Sequence, residues 1–104
     1  MAAELMSIAY IWPFAGKNEE TLEVLNGLYS LLSRKGYSRD LLYRDARSER
    51  LVNLRYWKSE EARQEAQEDP EVHRYWQRLA EISRVDGVVE RLEEVPGSWS
   101  ASAN

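Results

Sequence analysis

From Leu51 to Trp57 the chain alternates in character, with Val52, Leu54 and Tyr56 on one side and Leu51, Asn53, Arg55 and Trp57 on the other. A period of two predicts a β-strand, whose successive side chains point to opposite faces of a sheet. Leu5–Trp12 alternates in the same way, Met6, Ile8, Tyr10 and Trp12 against Leu5, Ser7, Ala9 and Ile11. Pro13 should end that strand, and Ala15–Gly16–Lys17 should turn the chain. The period then lengthens. Leu22, Leu25, Leu28, Tyr29 and Leu32 recur at helical spacing, and Val24 and Leu31 widen the stripe. Asn18 is expected to cap this helix, with Glu19 and Glu20 in the first turn, where the helix dipole favours acids. Arg34 and Lys35 suit its last turn, and Gly36 suits the left-handed position that follows.

Ser38–Asp45 and Arg50–Trp57 read as a hairpin around residues 46–49. Ser59 should cap a weakly apolar helical stretch from Glu60 to about Gln67, carried by Ala62 and Ala66. Asp69–Pro70 restarts the helix with a capping residue followed by proline, and Val72, Tyr75, Trp76, Leu79 and Ile82 form its apolar stripe. Asp86–Gly87 reads as a turn and Val88–Val95 as the last strand. Residues 1–95 then make one domain and 96–104 a small polar tail in which Trp99 could dock. The order β-α-β-β-α-β predicts an α+β, ferredoxin-like fold, an antiparallel sheet with its helices on one face.

That architecture covers only one side of the sheet. Yet both faces of the first and third strands carry apolar residues, where a solvated face should be polar. An apolar patch of this kind calls for a partner, and a twofold homodimer is the simplest arrangement.

Composition narrows the function. At 104 residues the chain makes about one domain. Its net charge of −4 disfavours a nucleic-acid backbone as partner. With no Cys, there can be no disulfide framework, thiolate nucleophile or cysteine metal site. The apolar runs are shorter than a bilayer span and no signal-like segment opens the chain, so no membrane partner and a cytoplasmic setting are expected. Four Trp and six Tyr against one Phe favour wet pockets and interfaces over a sealed core.

Trp57 followed by Lys58-Ser59-Glu60-Glu61-Ala62, then Asp69-Pro70-Glu71-Val72-His73 opening an aromatic helix, resembles the antibiotic biosynthesis monooxygenase domain. Tyr10, Pro13 and Gly16-Lys17 before an acidic helix start extend the likeness over about residues 5–95. The resemblance implies a dimeric α+β barrel with a small cavity between sheet and helices in each subunit. It also implies a range of activities: cofactor-independent oxidation of aromatic polyketides to quinones, quinol oxidation, heme degradation, or none, since a fold does not determine its chemistry. In the quinone-forming branch an Asn and a Trp on one strand activate the substrate, and Asn53 and Trp57 match their spacing. That branch also uses a Tyr and an Arg in the second helical region. Here Arg63 stands near the first of these, and Arg74 or Arg78 near the second. The heme-degrading branch needs an Asn on the first strand, which is absent, and a His near the place of Trp76.

The expected catalytic set is therefore Asn53, Arg55, Trp57 and His73, with Tyr10, Trp12, Tyr75 and Trp76 as substrate-binding rings. An amide or guanidinium in a dry pocket can stabilise a phenolate or peroxide, and rings beside it can stack on a flat substrate. His73 is the only histidine, so a multi-histidine metal site within one subunit is excluded, and no metal or cofactor is expected. It could serve as an acid–base group or simply sit at the rim. Asn53 and Arg55 could equally be structural or interfacial, Trp57 a pocket wall, and Tyr75 and Trp76 core packing. Glu19–Glu20, Glu60–Glu61 and Glu93–Glu94 are consecutive and do not converge. The preferred activity is oxygenation of a small phenol or quinol. The alternatives are a non-catalytic dimer that binds a flat apolar ligand and a structural dimer with a closed cavity.

Overall fold

A computed structural model describes residues 5–93 and 95. The elements run β1 (Leu5–Pro13), α1 (Asn18–Arg34), β2 (Ser38–Arg44), β3 (Leu51–Trp57), α2 (Glu60–Glu68), α3 (Pro70–Ile82) and β4 (Ser83–Glu93). The sheet order is β2-β3-β1-β4, antiparallel throughout, which is the ferredoxin-like arrangement. The tail expected over 96–104 lies outside the described residues. Among those residues, no helix is long and apolar enough to cross a membrane.

Helix α1 departs from its expected start. Lys17, not Asn18, is the capping residue, and its side chain makes no capping bond to the helix backbone. Instead the carbonyl of Lys17 accepts from the backbone N–H of Thr21 at 2.9 Å and from its hydroxyl at 2.7 Å. The helix ends as expected. Gly36 has φ +74, its N–H donates to Ser33, and that of Tyr37 to Leu32. This double closure needs a left-handed residue at Gly36.

The second helical region divides at Asp69. Ser59 accepts from the N–H of Ala62 at the start of α2, and Asp69 accepts from that of Glu71 at the start of α3, which has Pro70 in its first turn. Asp69 also accepts from Lys35 Nζ at 2.7 Å and from the Tyr37 hydroxyl at 2.8 Å. One carboxylate thus ties the end of α1 and the approach to β2 to the start of α3. These bonds, the Lys35 ammonium foremost, hold the Asp69 carboxyl down at about 2. They raise the Lys35 ammonium and the Tyr37 phenol in return.

The turn expected at Asp86–Gly87 is absent. Helix α3 passes directly into β4 at Ser83, whose hydroxyl donates to the carbonyl of Leu79 at 2.6 Å. Asp86 and Gly87 lie within the strand, beside two shifts in its register against β1. Each shift inserts an extra residue in β4, as a β-bulge does. An Asp-Gly pair serves a bulge as readily as a turn.

The register places Leu5, Ser7, Ala9 and Ile11 on the same face as Leu51, Asn53, Arg55 and Trp57. That face packs beneath the helices in two clusters. Leu5 and Trp57 meet Leu28, Leu31, Leu32, Ala66 and Val72. Ile11 and Leu51 meet Leu25 and Leu79. Tyr29 packs against both clusters. Each buried Leu or Ile contributes about 1.5–3 kcal/mol relative to exposure.

Close approach of α1 and α3 depends on Gly27. A Cβ there would lie 2.6 Å from Tyr75 Cε1. The opposite sheet face bears Leu41, Tyr43, Val52, Leu54, Tyr56, Met6 and Ile8, with Leu41 and Tyr43 exposed.

Candidate functional site

A cavity of about 190 Å³ opens between the β1–β3 part of the sheet and the helices. The sheet supplies Ser7, Ala9, Arg55 and Trp57, α2 supplies Arg63 and Gln67, and α3 supplies Trp76. Gly87 and Glu90 border it from β4. Gly87 lies opposite Ala9, so two small residues on adjacent strands leave this volume open.

Of the expected site residues, Arg55, Trp57 and Trp76 meet here. Trp57 is buried at 4% exposure, and its indole N–H donates to Ser7 Oγ at 3.3 Å. Arg55 stands over the Trp57 ring, its guanidinium carbon 5.4 Å from the centroid. That distance falls within the range of a cation–π contact.

Asn53 does not line the cavity. It is 4% exposed and lies one step behind the wall. Its amide nitrogen donates to Asp40 Oδ2 at 3.1 Å and to the Leu41 carbonyl at 3.4 Å. Its amide oxygen accepts from Arg55 Nη2 at 3.2 Å. The same Asp40 oxygen accepts from Arg55 Nε at 2.6 Å. Asn53 therefore braces Asp40 and Arg55, and its hydrogen bonds are spent within the protein.

His73 also stays outside the lining. Its ring stacks on Trp76, centroids 5.5 Å apart at 26°, and Nε2 meets the Gln67 carbonyl. It backs the Trp76 wall. Tyr75 lies elsewhere, between α3 and α1 over Gly27, bordering an outer groove with Val24, Glu71, Arg74 and Arg78. Neither Arg74 nor Arg78 lines the cavity, whereas Arg63 does. Tyr10 and Trp12 lie on the far face of the sheet, where Arg50 covers Tyr10 at 3.8 Å and Arg84 covers Trp12 at 4.2 Å.

Each cavity guanidinium is backed by a carboxylate. Arg55 has Asp40, whose side chain is wholly buried. Arg63 has Glu60, at 3.1 Å. Among the described residues no cluster of three His or acidic side chains forms a metal site.

Sequence reasoning overlooked Asp40, Tyr29, Ser7, Gln67 and Gly87. Asp40 could have been found, because alternation along β2 places it on the face of Ser38 and Leu42. The Tyr29 hydroxyl has no hydrogen-bond partner among the described residues. Burial raises its pKa, and the nearby Asp40 charge adds to the effect while that of Arg55 opposes it.

No family profile and no curated protein matches the chain at the sequence level. Solved structures do match its fold. SnoaB of Streptomyces nogalater, a cofactor-independent oxygenase, aligns with a TM-score of 0.76 at 17% identity, over 93% of this chain and all 100% of its own. A candidate antibiotic biosynthesis monooxygenase of Nitrosomonas europaea aligns at 0.78 with 15% identity, over 93% of this chain and 95% of its own. Another structure described as an antibiotic biosynthesis monooxygenase aligns at 0.75 with 18% identity, over 88% of this chain and 99% of its own. The chain has the α+β fold of these proteins, and at such identity the likeness is one of fold.

Proposed function

We propose that the protein is a monooxygenase of the antibiotic biosynthesis type, oxidising a compact phenol or quinol with dioxygen in the cavity beneath α2 and α3. The observation that carries this reading is that Arg55, whose guanidinium stands over the Trp57 indole, lines one cavity together with Trp57 and Trp76. A flat ring slots against the indoles, and its oxygen meets the guanidinium. Arg55 favours the phenolate, the electron-rich form that can pass one electron to dioxygen. Radical recombination then forms a carbon–oxygen bond and a peroxide. Cleavage of the O–O bond releases water and leaves a carbonyl on the ring. One oxygen atom enters the product and the other leaves as water, with the substrate supplying both electrons. Arg55 and Arg63 are suited to stabilise negative charge on the phenolate and peroxide. Size limits the substrate: about 190 Å³ is below the roughly 300–1,000 Å³ of drug-sized sites, so one or two rings fit.

The protein acts as a homodimer in this proposal, joined through the outer face of the sheet around Leu54. Leu54 lies opposite Ile8 and Leu41 in the register, at the centre of an apolar surface that one subunit leaves open. The alternative, a binding protein without catalysis, draws support from Asn53, whose amide is already committed to Asp40, Leu41 and Arg55.

Oxygen uptake with a panel of hydroquinones and one- and two-ring phenols separates the two. Uptake above the no-protein control that is lost in Arg55→Met supports oxygenation. Binding of the same compounds without uptake leaves the binding protein.

A further inference from the structure

Arg55 has a long side chain with many rotamers, and a guanidinium aimed into a cavity needs something to aim it. Besides the Trp57 ring it stands over, its hydrogen-bonding restraints come from Asp40 and Asn53, neither of which lines the cavity. Asp40 faces Arg55 across the β2–β3 register. Its side chain is 0% exposed, and one oxygen accepts from Arg55 Nε at 2.6 Å and from Asn53 Nδ2 at 3.1 Å. The other oxygen accepts from Ser38 Oγ at 3.0 Å. Asn53 Oδ1 in turn holds Arg55 Nη2 at 3.2 Å. These contacts use the Nε edge and part of Nη2. A guanidinium carries five N–H groups in a fixed plane, so once the Nε edge is pinned, the opposite edge is set in direction. Among the described residues, no hydrogen bond engages Nη1.

We propose that Asp40 is the positioning residue of the cavity: it holds the Arg55 guanidinium with its Nη edge toward the ligand, so that the cavity selects flat ligands bearing an anionic oxygen. This inference rests on the cavity being the ligand site. It specifies the ligand as a phenolate, enolate or aryl carboxylate of one or two rings. It also explains why a carboxylate is buried beside a site meant to attract anions. Asp40 lowers the positive potential there, yet it provides a directed, charge-assisted hydrogen bond.

The two effects of Asp40 have opposite signs, which makes the inference testable. If net charge governed binding, Asp40→Asn would expose more of the Arg55 charge and tighten anion binding. If direction governs, the same change frees Arg55 to turn away and weakens it.

The experiment is calorimetric titration of the folded protein with 4-nitrophenol at pH values on either side of that phenol's own ionisation. For the wild type, affinity should rise as the probe ionises. Asp40→Asn should bind the phenolate at least tenfold more weakly and lose most of the pH dependence, while its affinity for the neutral phenol changes little. Arg55→Lys, which keeps the charge but not the planar fork, should behave in the same way. Unchanged or tighter phenolate binding by Asp40→Asn overturns the proposal.

A second readout needs no folded variant at Asp40. The Arg55 Nε–H proton of the wild type, assigned by its loss in Arg55→Lys, should exchange with water far more slowly than those of exposed arginines. Exchange at the exposed rate overturns the proposal. A wild type that binds neither form of the probe removes the cavity reading instead, and the Nε–H exchange alone then decides the role of Asp40.

Discussion

Replacing Asn53 by Ala separates a brace from a catalyst. In the structure Asn53 makes two hydrogen bonds to charged partners, Asp40 at 3.1 Å and Arg55 at 3.2 Å, and a longer one to the Leu41 carbonyl at 3.4 Å. Bonds to charged groups contribute about 1.5–3 kcal/mol each, and a neutral one about 0.5–1.5 kcal/mol. The losses do not add in full, because Asp40 keeps Arg55 and Ser38 as donors. A loss of about 2–4 kcal/mol follows. With roughly 4–8 °C per kcal/mol for a small domain, the melting temperature should fall by about 8–32 °C. Urea unfolding at one fixed protein concentration is the assay, since the stability of the proposed dimer would depend on that concentration. The midpoint should fall with the slope unchanged. A change below about 0.5 kcal/mol would refute the reasoning, because that is the size expected at surface positions without such bonds.

Three further outcomes follow from the same geometry. Tyr29→Phe removes a buried hydroxyl without a partner among the described residues and should stabilise by about 1 kcal/mol; a melting temperature lower than wild type would show that the hydroxyl is satisfied. Asp69, held down at about 2 from an ordinary 3.8, contributes stability that is present above pH 3.8 and is lost as pH falls through about 2. The gap in urea midpoint between wild type and Asp69→Asn should therefore close on acidification, and a gap independent of pH would contradict this. Leu54→Glu places a charge at the centre of the outer sheet face. By sedimentation, the wild type should run as a dimer and the variant as a monomer, whereas a monomeric wild type would remove the proposed interface.

The elements whose ends carry their own chemistry could be read from the chain. Ser59, Asp69–Pro70 and Gly36 each satisfy backbone groups locally, so local sequence suffices to place them. The start of β4 could not be read in this way, because glycine serves a turn and a bulge alike, and only the pairing with β1 distinguishes them. The site divides along the same line. Alternation along β3 correctly put Asn53, Arg55 and Trp57 on one face, but alternation carries no information about depth. Asp40, from the neighbouring strand, draws Asn53 back from the cavity and leaves Arg55 at its edge. Tyr10 and Trp12 are aromatic in the manner of pocket residues, yet register places them on the opposite face, and register depends on partners far along the chain.

Gly87 offers the most direct test that the cavity is the ligand site. Its backbone lies outside the left-handed region, and a Cβ added there would meet nothing closer than Glu90 Oε1 at 4.0 Å. A leucine at this position should extend into the space beside Ala9 and Trp57 while the strand is retained. The measurement is titration of 1,4-dihydroxynaphthalene into wild type and Gly87→Leu without oxygen, followed by quenching of tryptophan fluorescence. Saturable quenching in the wild type, and its absence in a Gly87→Leu protein that unfolds at least as cooperatively, is the predicted result. Equal saturation of both proteins would contradict the account.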